Sequence, residues 1–196
     1  MNTLRKIGRR LDATVGVGKE ETLFFEMHSD WPLPKAPLPS GVRIQRLESE
    51  QAKEFCISTA MNLATIGERW AAGDACFMAL SEGRLAHYSW VKSAGLQPVT
   101  EADVVIPIRL GEFWIYHCWT EEWARGRRIY PGVLGTILRD YFVDGYTRGH
   151  VYTSRTNLAS QRGIEHAGFR YTSSKWSLRL GSHWYRLKGC LSIYHD

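Results

Sequence analysis

"EEWARGRRIYPGVL", residues 121–134, decides how this chain is read. Before it runs "EFWIYHCWT" (112–120), whose aromatic and β-branched residues suit a strand. After it Val133, Leu134, Ile137, Leu138, Tyr141 and Phe142 recur at helical spacing, with Pro131 placed for the first turn of a helix over 131–144. At such a junction the first helical N–H groups have no internal partner, and the helix dipole adds positive potential. Arg125, Arg127 and Arg128 add charges whose fork geometry suits phosphate oxygens, and Gly126 lets the backbone bend close to a ligand. A pyrophosphate suits this loop. The competing reading is a solvated charged loop paired with Glu121 and Glu122. Neither a P-loop nor the G-x-G-x-x-G dinucleotide pattern is present.

Outward from the loop, "HVYTS" (150–154) is the next strand, and Asn157 caps a helix over 158–167 that Gly168 ends. "FRYTSSKWSLRL" and "HWYRLKGCLSIY" read as a closing hairpin around Gly181–Ser182. Upstream, "VRIQRL" alternates as a half-buried strand, one or two helices follow to about Trp70 with an interruption near Asn62, and "ACFMALSEGRLAHYSWV" is a hairpin turning at Glu82–Gly83. "AGLQPVTEADVVIPIRLGE" reads as a long irregular connection. "TLFFEMH" (22–28) is a short strand, and the four prolines of "SDWPLPKAPLPSG" make a connector. The expected organisation is therefore an amino-terminal arm over 1–40 and one domain over 41–196. A strand-helix-strand crossover of this length implies one parallel pair in an otherwise antiparallel sheet.

The 196 residues suit one domain, and 44% hydrophobic with 23% charged residues is a globular balance that suggests neither disorder nor a membrane protein. The net charge of +5 favours anionic partners without choosing among them. Arg5, Lys6, Arg9 and Arg10 form a basic arm with no secretory core, and no apolar run is long enough to span a membrane. Cys56, Cys76, Cys118 and Cys190 lie far apart without a C-x-x-C pair, so free thiols in a reducing cytoplasm are expected, and no metal site.

The arginine loop, followed about thirty residues later by "NLASQRGIEHAGF" (157–169), resembles the GNAT superfamily of acyl-CoA N-acyltransferases. The loop is similar to that family's Q/R-x-x-G-x-G/A pyrophosphate motif with Arg125 in the Q/R place, and Asn157 and Gly168–Phe169 match its downstream helix. Arg128 and Tyr130 depart from the family's glycines, and Ile164 stands where many members carry a tyrosine that protonates the leaving thiolate. The resemblance spans about Gly41 to Tyr171. It implies a mixed α/β fold, a largely antiparallel twisted sheet with flanking helices and one parallel strand pair splayed for CoA.

By the same resemblance the protein is an acyl-CoA-dependent N-acetyltransferase using acetyl-CoA as co-substrate. The pantetheine arm would meet Cys118, Trp119 and Thr120, and the pyrophosphate would rest on Arg125, Gly126, Arg127, Arg128, Ile129 and Tyr130, whose ring must turn away from the phosphates. Asn157 and Ser160 would touch the cofactor from the second helix. The acceptor would be a primary amine of an amino sugar, a small metabolite or a peptide, attacking the thioester directly. His117 and Tyr116 are the candidate proton acceptors. Strand alternation lets only one of them face the site unless a bulge intervenes. Glu112, Glu121 and Glu122 are further candidates, whereas Cys118 reads as a buried thiol. A homodimer is allowed. Two readings compete: a nucleic-acid or anionic-surface binder using the arginine loop, and a CoA-binding regulator without turnover.

Overall fold

The computed structural model describes residues 17–35, 37–180 and 183–187. The basic arm, the turn at Gly181–Ser182 and Cys190 lie outside them. The strand, loop and helix that decide the fold are β7 (Glu112–Thr120), a basic turn, and α3 (Ile129–Val143). α3 begins two residues before the expected start because Arg128 takes a left-handed conformation, φ 58°, and releases the chain into the helix at Ile129. Pro131 then falls within the first turn, where an N–H would have no acceptor. α3 crosses to β8 (Arg148–Ser154), which lies parallel to β7.

Around this unit stand β1 (Val17–His28), β2 (Val42–Arg46), α1 (Ala52–Thr59), α2 (Leu63–Ala71), β3 (Ala75–Ser81) and β4 (Arg84–Lys92). The small strands β5 (Leu96–Val99) and β6 (Val104–Pro107) precede β7, and α4 (Leu158–His166), β9 (Arg170–Leu180) and β10 (His183–Arg186) complete the described chain. The main sheet runs β10-β9-β1-β8-β7-β4-β3-β2, antiparallel at every step except β7–β8. This is the mixed α/β architecture expected from the sequence.

Two elements differ from the sequence reading. The strand expected at 22–28, in an arm preceding the main body, is the second half of a twelve-residue β1 that pairs with both β8 and β9 inside the sheet. Its register is set by contacts more than a hundred residues away, which local pattern does not carry. The connection expected to be irregular folds into the β5–β6 hairpin around a 3₁₀ turn at Thr100–Ala102. The proline-rich stretch has no helix or strand among its described residues.

The sheet buries both faces, as alternate residues of β1, β3 and β7 show. Leu23, Phe25 and Met27 of β1, Phe113 and Ile115 of β7 and Val151 of β8 meet Val133, Leu134, Ile137 and Leu138 of α3 on one side. On the other, Cys76, Met78, Tyr88 and Trp90 meet Phe55 of α1 and Ile66 of α2, while Phe24 and Trp114 pack under Val99 and Ala102 of the small hairpin. Each large apolar side chain buried in this way contributes about 1.5–3 kcal/mol. The two helical layers hold the central strands from above and below. They leave a gap at one end of the β7–β8 pair.

Candidate active site

Pairing between β7 and β8 covers Glu112–Arg148, Phe113–Gly149, Trp114–His150 and Ile115–Val151, and then stops. Beyond it β7 runs on through Tyr116–Thr120 beside β4, while β8 continues beside β1, so the two strands diverge. Two clefts open from this gap. One, of about 640 Å³, lies between the end of β7, the arginine loop and α4, and the other, of about 750 Å³, lies between β7, α2, β1 and the β5–β6 hairpin. Asn157 lines both.

The first cleft gathers ten of the eleven residues expected to touch a cofactor: Cys118, Trp119, Thr120, Arg125, Gly126, Arg128, Ile129, Tyr130, Asn157 and Ser160. Arg127 is not in its wall; its guanidinium stacks 5.9 Å from the Trp123 ring, whose centroid also lies 4.5 Å from Arg84. Arg125 donates from Nε to the Thr120 carbonyl at 3.2 Å and stacks on half-exposed Trp119. Gly126, at φ 76°, and Arg128 make the left-handed turns that bring the loop to the helix. No side chain caps the start of α3, so its first amides are open to an anion. Asn157 caps α4, its Oδ1 accepting from Ser160 N at 3.1 Å.

The Tyr130 ring, in the wall of this cleft, is directed inward. It lies against Gly163 and 5.2 Å from the His87 ring. Its hydroxyl engages Cys118 and Ser160, and burial, then the Cys118 sulfur, push its ionisation well above the ordinary tyrosine range. Cys118 in turn engages Ser89, and burial pushes its thiol up to about 11, which disqualifies it as a nucleophile at neutral pH. His87 bonds Thr120 Oγ1 through Nδ1 at 2.7 Å and Ser89 Oγ through Nε2 at 2.8 Å. Burial depresses it to about 3. Hydrogen bonds therefore link Thr120, His87 and Ser89, and Cys118, Tyr130 and Ser160 lie close enough to influence one another electrostatically. Ile164 is fully buried in the core.

Tyr116 and His117 both line the second cleft. The bulge that this requires is present: His117 has φ 46° and the β4–β7 register shifts between Tyr88 and Trp90. The Tyr116 hydroxyl donates to Asp74 Oδ2, and Lys92 Nζ lies 2.8 Å from Oδ1. Burial, then this hydrogen bond, raise the Tyr116 ionisation far above its usual range. Arg69 Nη2 donates to His117 Nδ1 at 2.7 Å, which leaves Nε2 to carry the ring proton 3.5 Å from the Tyr88 hydroxyl. Burial, then the Arg69 charge, lower the His117 pKa, so the imidazole is neutral at neutral pH. In this arrangement Arg69 occupies Nδ1 and Tyr88 lies beside Nε2, so neither ring nitrogen is a ready base.

Glu112, Glu121 and Glu122 line neither cleft. Glu112 faces Arg148 and His150 at the far end of β7, and Glu122 lies 3.8 Å from Arg125 on the surface. Sequence reasoning missed Arg69, Asp74, Lys92 and His87. Asp74 and Lys92 sit at opposite ends of the β3–β4 hairpin, and only antiparallel pairing brings such ends together. Among the described residues no group of three His, Cys, Asp or Glu side chains could hold a metal, and no helix is long and apolar enough to cross a membrane.

No protein-family model and no curated protein matches the sequence. Solved structures do match in fold. A GCN5-related N-acetyltransferase from Sphaerobacter thermophilus superposes with a TM-score of 0.61 at 14% identity, over 93% of this chain and 55% of that one. A GNAT-family acetyltransferase from Colwellia psychrerythraea gives 0.55 at 16% identity, over 94% of this chain and 62% of that one. An aminoglycoside N-acetyltransferase in complex with CoA gives 0.51 at 18% identity, over 65% of this chain and 91% of that one. The chain has the fold of the GNAT N-acetyltransferases. It spans little more than half the length of the first two proteins.

Proposed function

We propose that the protein transfers an acetyl group from acetyl-CoA to a primary amine by direct attack. The observation that carries this reading is that the cleft on the arginine loop and a second cleft, lined by Tyr116, His117 and Asp74, meet where β7 and β8 part, with Asn157 in the wall of both. Arg125, Arg128 and the amides of Ile129 and Tyr130 are the groups for a diphosphate, and the unpaired edge at Cys118–Thr120 is the one for an extended pantetheine arm. Free thiols at Cys56, Cys76 and Cys118 suit a reducing compartment such as the cytoplasm.

In this mechanism the amine enters from the second cleft and attacks the thioester carbonyl, and fixed β7 amides near Cys118 stabilise the oxygen charge. As nitrogen bonds to carbon, its proton passes to the Tyr116 oxygen while the Tyr116 proton moves to Asp74, a transfer for which their hydrogen bond is already formed. His117 orients the amine. The C–S bond breaks and sulfur takes the proton of Tyr130; Asp74 then releases the amine's proton to water in the second cleft while Tyr130 regains one from water at the mouth of the first through Ser160, so that no net proton is gained or lost. Tyr130 thus supplies from α3 what Ile164 leaves α4 unable to give.

Calorimetric titration with acetyl-CoA, followed by an assay of released CoA thiol over a panel of primary amines, tests the reading. Saturable binding with amine-dependent thiol release is expected. Binding without turnover on any amine would leave a CoA-binding regulator, and binding to nucleic acid that weakens steeply with salt, without binding acetyl-CoA, would leave the anionic-surface reading.

A further inference from the structure

The first cleft is lined by Arg125, Arg128 and Arg162 with His87 and His166, and among the described residues no aspartate or glutamate stands in its wall. Its cations are largely unanswered. Arg125 reaches Glu122 at 3.8 Å on the surface, while Arg128 and Arg162 have no carboxylate partner among the described residues. A pocket with several guanidinium groups and no acid favours an occupant carrying more than one anionic group.

Part of this charge lies away from the loop, on α4. Ala159, Arg162, Gly163 and His166 recur at three- and four-residue spacing, so one face of that helix forms the wall. Ala159 and Gly163 keep the face low, whereas Arg162 and His166, one turn apart, are both exposed beside it. Because the Tyr130 ring rests on Gly163, this pair stands next to the first turn of α3. A diphosphate on Arg125, Arg128 and the α3 amides leaves the α4 pair without an anion. In coenzyme A the remaining anionic group is the 3′-phosphate, one ribose ring away from the diphosphate.

We infer that Arg162 and His166 read the 3′-phosphate, and so select coenzyme A as donor over its dephospho form and over a phosphopantetheine arm carried on another protein. This rests on the acetyl-transfer reading for the seat of the diphosphate, whereas discrimination between the two nucleotides is a binding property measurable without turnover. Arg127, stacked on Trp123 outside the cleft wall, is the competing cation and serves as the control. The probes are CoA, 3′-dephospho-CoA and 4′-phosphopantetheine, measured by calorimetry at fixed salt, and their acetyl thioesters for kcat and KM.

CoA is expected to bind about 10- to 100-fold tighter than dephospho-CoA, the factor that hydrogen bonds to a charged group supply, with phosphopantetheine weaker still. In the Arg162→Gln/His166→Gln variant the ratio of the two nucleotide affinities falls to within about threefold, through KM rather than kcat; retained affinity for dephospho-CoA reports that the variant is folded. Arg127→Gln, which removes the same charge outside the wall, keeps the ratio. Equal binding of the two nucleotides, a preference that survives the double substitution, or one lost as fully in Arg127→Gln overturns the inference. If both nucleotides bind equally and their acetyl thioesters turn over, the transfer reading stands without it; if the preference holds but no amine is acetylated, the reverse is true; if neither nucleotide binds, both fall.

Discussion

The ring of Tyr130 rests on Gly163, so closely that a Cβ added to Gly163 would stand 2.6 Å from Tyr130 Cδ1. Only a residue without a side chain lets the start of α3 and the body of α4 share this space. Gly163→Ala is expected to push the ring toward the cofactor cleft. It should destabilise the protein by about 1–3 kcal/mol, the usual cost of overpacking, and weaken acetyl-CoA binding more than Gly67→Ala, where nothing lies within 4 Å. Urea denaturation and calorimetry of the two variants read both effects.

Tyr130→Phe keeps that packing and removes one hydroxyl. If the phenol protonates the departing thiolate, kcat falls by about 10²-fold, the lower end of what general acid–base catalysis supplies, while KM for acetyl-CoA changes little. Replacing acetyl-CoA by an aryl thioester, whose sulfur needs no proton to leave, should shrink the deficit. A deficit of the same size with both donors would remove Tyr130 from the role.

The arginines of the loop are not equivalent. Arg125 lines the cleft and Arg127 stacks on Trp123 away from it. Loss of a charged hydrogen bond costs about 1.5–3 kcal/mol, so Arg125→Ala should weaken acetyl-CoA binding about 10- to 100-fold. Arg127→Ala should weaken it less than about threefold. Equal losses in calorimetry would count against this placement of the diphosphate.

His87 gives the protein an acid-sensitive core. Burial holds its folded pKa near 3, below the unfolded value of about 6.5. Between these values the unfolded chain binds a proton that the folded chain does not. Stability from this group is therefore complete above about pH 6.5 and declines as pH falls toward 3, by about 1.4 kcal/mol per unit. His87→Gln should be less stable at pH 7, where it loses the bonds to Thr120 and Ser89. Its stability should also fall less steeply between pH 6 and 4, and parallel slopes in urea denaturation would refute the assignment.

The parts of this molecule legible in its sequence are those whose signal is local. The strand, basic loop and helix at 112–143, the cap at Asn157 and the turn at Glu82–Gly83 are written in neighbouring residues. The wall of the first cleft follows because it is built from those same segments. The second cleft is different: Asp74 meets Tyr116 across forty-two positions, and Arg69 meets His117 across forty-eight. Nothing in "IYHCW" marks the left-handed turn at His117, since the bulge is imposed by the partner strand. The interior place of β1 is a long-range fact of the same kind.

Four residue pairs, from Glu112–Arg148 to Ile115–Val151, are the only ladder between two leaves of four strands, β10-β9-β1-β8 and β7-β4-β3-β2, among the described residues. So short a spine makes the sheet a book rather than a plate. A thioester arm laid along the bare margins of Cys118–Thr120 would act as a clasp, bonding one leaf and touching the other through Asn157 and Ser160. Loading the donor then stiffens the frame against which the acceptor must fit, and slowed amide exchange across both leaves is the trace it would leave.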